Sequence, residues 1–267
     1  MSIALRKTRA LLSAYLQDTL AYRASMVIWI LTDVTNTFIM PLVWLASLGD
    51  RTEIGGFTGS GFVMYYLVLA ITSNFAVSHL MWDISFEIKE GVISQWLVRP
   101  IPYLYAMFVR NFTWRLIRGV MLVPLVGMFA LYHWHRLDAT VLTNAGPFFL
   151  SLFLGHIVSF WIAMSLSSLA FWFHEVYSVY GLYYVPAYML SGWVAPIELM
   201  QPWMQALAAA LPFRYVTAVP VEIAVGRITG DAIWYSILGQ IVWLVLAVFL
   251  ALFLWRKGLK EYSGIGM

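Results

Sequence analysis

The chain has no cysteine, no Gly-Lys dipeptide and little charge. Without cysteine there is no disulfide framework, no thiolate metal site and no cysteine nucleophile. A phosphate-cradling loop needs backbone amides and one lysine converging on the phosphates, so the missing Gly-Lys pair rules out ATP hydrolysis by that route. Asp, Glu, Lys and Arg make up 11% of the 267 residues, against roughly a quarter in soluble domains. Apolar residues fill the space, at 62% of the chain and a mean hydropathy of +0.80. Such a chain is solvated by lipid, and spans of about 20 residues joined by short connections use up nearly all of it. The expected fold class is an all-α integral membrane protein.

Apolar runs from about Met26 to Leu48, Phe62 to Trp82, Phe108 to Leu131, Pro147 to Phe173, Val176 to Val194 and Ile233 to Trp255 predict six transmembrane helices. The third carries Arg110, Arg115 and Arg118 in its first turns, which predicts that they snorkel or lie in a headgroup-level entry helix before Val120. Ahead of the first span, Arg6, Lys7 and Arg9 precede an apolar patch that Gln17 and Asp18 break short of signal-peptide length. Leu12, Leu16 and Leu20 recur there at helical spacing. The segment reads as a retained N-terminal interfacial helix or as a plain basic tail.

Basic residues set the orientation. With the N-terminus inside, Arg6, Lys7, Arg9, Arg23, Lys89, Arg99, Arg110, Arg115, Arg118, Arg256, Lys257 and Lys260 are cytoplasmic, leaving Arg51, Arg136, Arg214 and Arg227 outside. The positive-inside rule then places both termini in the cytoplasm. The net charge of +3 follows from that topology and is no evidence for nucleic-acid binding.

No catalytic or metal motif is complete. His174-Glu175 resembles the start of a zinc-protease helix, but Ser178 stands where the second histidine belongs. His133 and His135 flank Trp134 at the outer end of the third span, as an interfacial cluster without recognisable further ligands. Asp33 and Asn36 lie inside the first span, where Asp33 either lines a polar cavity or reaches the interface or a basic residue of a neighbouring helix. His156 reads as one interhelical hydrogen bond in preference to a proton relay.

Two helical stripes stand out. Ser151, Gly155, Ser159, Ala163 and Ser167 are small residues at unbroken four-residue spacing, which predicts a packing groove along the fourth span, within the chain or against a second one. Tyr180, Tyr184 and Tyr188 recur in the fifth span beside Pro186, as ordinary packing or as an aromatic wall for an apolar or cationic solute. After that span, Pro196, Pro202, Pro212 and Pro220 cut the chain into pieces too short to cross. Met200 to Leu211 is expected to form an outer re-entrant or interfacial hairpin.

Between the second and third spans, residues 83–102 form a charged island. Ile84, Ile88 and Val92, then Ile93, Trp96 and Leu97, recur at helical spacing, with Glu87, Lys89 and Glu90 off the stripe. Gly91 divides the island into two short helices, the second ending near Pro100. An amphipathic helix of this kind seats in a partner's groove or rests on lipid headgroups.

The run EIKEGVISQWLVRPIPYL after the second span, PIELMQPWMQALAAALPFRY before the sixth and the tail WRKGLKEYSGIG resemble the permease subunits of type-two ATP-binding-cassette exporters, over essentially the whole chain. Arg99-Pro100 and Tyr262-Ser263-Gly264 are similar to features of a bacterial six-span branch. The resemblance implies a single transmembrane permease domain over residues 1–267, in the bacterial plasma (inner) membrane, with a cytoplasmic coupling helix between spans two and three. Glu87, Glu90, Gly91, Gln95, Leu97 and Arg99 would insert into a groove of the ATPase subunit. It further implies two ATPase copies holding the ATP and Mg, a second permease, identical or related, and no cofactor or enzymatic activity in this chain. Rival readings are an ion-coupled secondary transporter, motivated by Asp33 and His156, and an integral-membrane enzyme or assembly factor.

Overall fold

The computed structural model describes residues 3–21, 23–137, 143–173 and 175–263, without the side chains of residues 3–4, 23–26, 29–30 and 32–37. Apart from one small hairpin, its regular structure is helical among the described residues. Helix α1 (Ile3–Ala21) is followed by α2 (Arg23–Leu48) and the hairpin β1 (Glu53–Ile54) with β2 (Phe57–Thr58). Next come α3 (Gly59–Ala76), α4 (Leu80–Lys89), α5 (Ile93–Leu97), α6 (Tyr103–Tyr132), α7 (Ala145–Ser168) and α8 (Val176–Leu190). The chain closes with α9 (Pro202–Ala210), α10 (Pro212–Val216), α11 (Ala218–Ala224) and α12 (Asp231–Glu261).

Among the described residues, four stretches are long and apolar enough to cross a membrane: Gly59–Lys89, α6, Ala145–Phe171 and α12. Their outward faces stay apolar, with Val120 and Val123 of α6 and Val245 and Phe249 of α12 exposed. Surface of that kind is stable against lipid and not against water. The long helix α2 runs 26 residues, of which Phe38–Leu48 is a described apolar segment. Helix α8 differs from the expected fifth span. It has 15 residues and ends at Leu190, giving about 22 Å of rise against a hydrocarbon core of about 30 Å.

At the centre lies α7, packed against α12, α4, α3, α10 and α11. Ser151, Gly155, Ser159, Ala163 and Ser167 are all buried, and the contacts that cover them come from this same chain. Gly155 faces the α10–α11 junction so closely that a Cβ there would stand 2.6 Å from the Val216 carbonyl oxygen. One turn earlier, the Gln240 side-chain amide donates to the carbonyls of Ser151 at 2.9 Å and Tyr215 at 2.8 Å, joining α12 to α7 and α10.

The second expected span is interrupted between α3 and α4 at Val77–His79, although that stretch holds no proline or glycine. A helix end inside the fold leaves carbonyls that must be satisfied. Here Asn74 O accepts from Arg115 Nη1 at 3.0 Å, and Phe75 O is 3.0 Å from His156 Nδ1, which must donate because a carbonyl only accepts. Beyond the break, the Ser78 amide donates to Ser159 Oγ at 2.8 Å and Ser78 Oγ donates to Asn111 Oδ1 at 3.3 Å. Arg115 and Arg118 are therefore buried, at 1% and 3% exposure, where the sequence had suggested snorkelling. Helix α6 starts five residues earlier than the expected span, at Tyr103, and Arg115 turns into the protein towards the negative end of α3.

Ser159→Ala removes the acceptor of the Ser78 amide. It is expected to cost about 1 kcal/mol and to lower the thermal midpoint by about 2–4 °C in detergent, read by intrinsic fluorescence.

At the end of the bundle away from α1, α9 and α10 each carry proline at the first helical position, where its missing amide costs nothing. Ion pairs fasten this cap. Arg214 meets Glu222 at 2.7 Å, and Arg227 pairs with Glu198, donates to Gly56 O at 3.1 Å and lies over the Phe57 ring at 4.3 Å. Burial pushes the Glu222 carboxyl above its ordinary range against the opposing pull of Arg214, while the hydrogen bond and charge of Glu198 raise Arg227. His133 is tucked between the rings of Phe129 and Tyr132, and His135 accepts from Arg136 at 3.3 Å.

Candidate functional site

Residues 83–102 fold as helix, turn and helix. Ile84 and Ile88 of α4 and Ile93 of α5 are buried in one apolar cluster with Tyr103, Met107 and Trp255. Between the two helices Gly91 adopts φ +73°, a left-handed conformation that glycine enters without a Cβ penalty. This gives the chain its turn between α4 and α5. Pro100 and Pro102 then carry the chain into α6, with Pro102 as the residue before its first turn.

Glu87 lies inside this fold and not on its outer surface. Its side chain is 13% exposed, accepting from Arg110 Nη1 at 2.7 Å and from the Tyr103 hydroxyl at 2.7 Å. Arg110 also reaches Asp83 at 3.6 Å, so one guanidinium links two turns of α4 to α6. Glu87 follows Ile84 by three positions and thus sits at the edge of the buried stripe. Tyr15 of α1 packs beside this group, and burial pushes its hydroxyl up to about 12, with the charges of Arg110 and Glu87 acting in opposite directions.

Four further ties hold the island and the start of α6 from outside. Lys7 Nζ donates to Pro100 O at 2.7 Å, and the Thr8 and Tyr105 hydroxyls meet at 2.7 Å, fixing α1 to the island's exit. On the other side Ser94 Oγ meets the Tyr262 hydroxyl at 2.8 Å, so α5 is bound to the tail after α12. Tyr103 stacks on Trp255 with ring centroids 5.0 Å apart, tying the start of α6 to α12. The island is thus connected to both ends of the chain.

The surface left open includes Glu90, Gln95, Leu97, Val98, Arg99 and Pro100, with Asp83, Phe86, Ser94 and Pro102 also exposed. Leu97 is 45% exposed and Val98 85%, an apolar tip on an otherwise polar loop. The Arg99 guanidinium lies 4.3 Å over the Trp96 ring, which holds this charge beside the tip. The sequence reading named Leu97 and Arg99 but missed Val98, Lys7, Tyr103, Arg110 and Tyr262. The partners of the last four lie up to 168 residues away in the chain.

The other named residues fall elsewhere. Tyr180 is fully buried, donating to Met81 O at 3.1 Å and meeting Ser85 Oγ, while the Tyr184 hydroxyl is 2.8 Å from His79 Nδ1. Trp82 is sandwiched against Tyr177 and edge-on to Tyr180, so this part of the tyrosine ladder glues α8 to α4. Tyr188 instead packs on Trp193. The side chains of Asp33 and Asn36 on α2, and Gly264 of the tail, lie outside the described residues.

These features define a multi-pass membrane protein with an exposed, internally braced loop at one end. Residues 34–266 match the sequence model of the ABC-2 family transporter proteins, and the chain belongs to that family. Among curated proteins it is similar to a protein designated "Probable multidrug ABC transporter permease YbhR" from Escherichia coli K12, 25% identical over 189 residues. The protein of the same designation from Escherichia coli O157:H7 matches equally. The alignment covers 66% of this chain and 47% of those relatives, so the chain spans about half the length of the proteins it matches.

Proposed function

We propose that this chain is the transmembrane subunit of an ATP-driven exporter and that residues 83–102 couple it to a separate ATPase subunit. The observation that carries this reading is the island itself: an apolar tip at Leu97 and Val98, flanked by Glu90, Gln95 and Arg99, on a loop braced to α1, α6 and α12. A loop resting on lipid gains nothing from such bracing, whereas a loop that transmits force requires it. Gly91 supplies the turn, and Glu87 acts from within by holding α4 to α6.

In this reading the chain forms one permease domain with six spans, α2 and α8 completing the set with the four long apolar stretches. The end carrying α1 and the tail is cytoplasmic, in a bacterial inner membrane, because the basic residues gather there. Met200 to Leu211 form a re-entrant hairpin on the outer side. Two permeases, identical or related, share two ATPase copies, and ATP and Mg reside in those copies, leaving this chain without catalysis of its own. ATP binding draws the coupling segments together and shifts the pair between inward- and outward-facing states. Asp33, Asn36 and the half-buried Tyr184 and Tyr188 are the candidates for the translocation path, while the buried Tyr180 supports α8. The multidrug designation of the relatives directs a cargo search to amphipathic drugs first.

A pull-down tests the docking. An ATPase is expected to co-purify with the wild-type chain in detergent, and Leu97→Asp is expected to weaken that association about tenfold or more by placing a charge in the contact. Undiminished co-purification, or ion-gradient-driven transport by the chain alone, contradicts the assignment.

A further inference from the structure

A cleft of about 530 Å³ opens where the last turns of α12 meet the chain at Trp172, lined by Trp172, Phe253, Leu254, Lys257, Lys260 and Glu261. We infer that it binds the headgroup of an anionic phospholipid, the singly charged phosphodiester of the phosphatidylglycerol kind. Lys257 and Lys260 lie one turn apart on the same face of α12, both exposed. Among the described residues neither forms an ion pair or a hydrogen bond; the Lys257 ammonium rests 4.6 Å from the centre of the Phe253 ring. Both ammonium groups thus line a cleft whose other walls are the apolar Trp172, Phe253 and Leu254 and the carboxylate of Glu261.

The position fits a lipid better than a free anion. Phe253 and Leu254 lie one turn closer to the middle of a helix long enough to cross the bilayer, at the level of the first acyl carbons if the lysines stand at the phosphates. Trp172 forms the facing wall, exposed by 40%, as an indole at the interface does. The walls are fixed: Gly258 seats the Phe171 ring directly against α12, and Trp255 meets the same ring edge-on at 5.5 Å. Lysines in a last helical turn also complement the helix dipole, but that role calls for neither a cleft nor aromatic walls. The lining carries two lysines and one glutamate, a balance of +1 that matches a single phosphodiester charge. Glu261 disfavours a doubly charged ligand and can accept hydrogen bonds from headgroup hydroxyls. None of this depends on an ATPase partner.

Native mass spectrometry of the full chain in detergent tests the site, with phosphatidylglycerol, phosphatidylcholine and glycerol 3-phosphate as probes. The wild type is expected to retain phosphatidylglycerol about tenfold better than phosphatidylcholine. The double variant Lys257→Gln with Lys260→Gln is expected to lose that preference, while Arg256→Gln, outside the cleft, keeps it. All three residues are exposed, so these variants report on binding and not on folding. Equal retention of the two lipids, unchanged preference in the double variant or an equal loss in Arg256→Gln overturns the inference. Displacement of phosphatidylglycerol by equimolar glycerol 3-phosphate also overturns it, by marking the cleft as a free-anion site.

Discussion

Replacing Gly155 by valine is expected to abolish recovery of folded protein. A Cβ at this position would stand 2.6 Å from the Val216 carbonyl oxygen and 3.3 Å from that of Tyr215. Both are backbone atoms, which cannot swing away as the tip of a side chain does. The junction they belong to is also held by Gln240, fully buried, through its bonds to Ser151 O and Tyr215 O. Overpacking costs about 1–3 kcal/mol, and each buried carbonyl orphaned as the junction moves costs about 1–3 kcal/mol more. Together these approach the roughly 5–15 kcal/mol that stabilises a typical domain. Size-exclusion chromatography of a fluorescently tagged chain reads the result: the monodisperse peak is expected to vanish for Gly155→Val and to survive, less heat-resistant, for Gly155→Ala. Gly181→Val serves as control, since no described residue lies within 4 Å of a Cβ there. A wild-type peak for Gly155→Val would show that α7 and the α10–α11 junction do not pack as described.

The local punctuation of the sequence carries much of this architecture. Gly91, Pro100 and Pro102 mark the island's turn and exit, and Pro202 and Pro212 mark helix starts, because each acts through its own backbone geometry. The small-residue stripe of α7 could be read for the same reason, since four-residue spacing places side chains on one face whatever packs there. The break at Val77–His79 was not legible. Nothing in those residues disfavours helix; the interruption is stabilised by Arg115, His156, Ser159 and Asn111, which arrive from α6 and α7. That same interruption explains the misreading of Arg115, whose charge counts as an interfacial signal until a helix end is found for it to cap. Glu87 was misplaced by the opposite kind of error. Its sequence neighbours Lys89 and Glu90 are outward groups, but its position relative to Ile84 faces Arg110 and Tyr103. Helix length was the remaining difficulty, since an apolar run to Val194 does not reveal that α8 stops at Leu190.

On the proposed coupling of residues 83–102 to an ATPase, removing the Glu87 carboxylate is expected to uncouple transport from ATP hydrolysis by roughly thirtyfold while leaving the ATPase subunit bound. Its two oxygens hold Arg110 and Tyr103, each at 2.7 Å, and Tyr103 passes the connection to Trp255 of α12. Without them, α4 is tied to α6 at this level by the longer contact of Arg110 to Asp83, at 3.6 Å. Breaking a fully buried pair costs about 3–5 kcal/mol. With Glu87 at 13% and Arg110 at 27% side-chain exposure, solvent screening reduces this to about 2 kcal/mol. If the latch forms in one transport state and not the other, that energy is lost from the bias between states, which is roughly thirtyfold in their ratio. Docking is spared because Glu90, Gln95, Leu97 and Arg99 remain on the surface. The measurement compares ATPase rate, cargo export and co-purification for Glu87→Ala in the reconstituted complex. Hydrolysis is expected to continue with little export, and the reciprocal exchange Glu87→Arg with Arg110→Glu is expected to recover part of the coupling, since it rebuilds the ion pair in reverse. Release of the ATPase by Glu87→Ala would make Glu87 a docking contact. Export per ATP at the wild-type level would mean that the bracing of α4 to α6 carries no force.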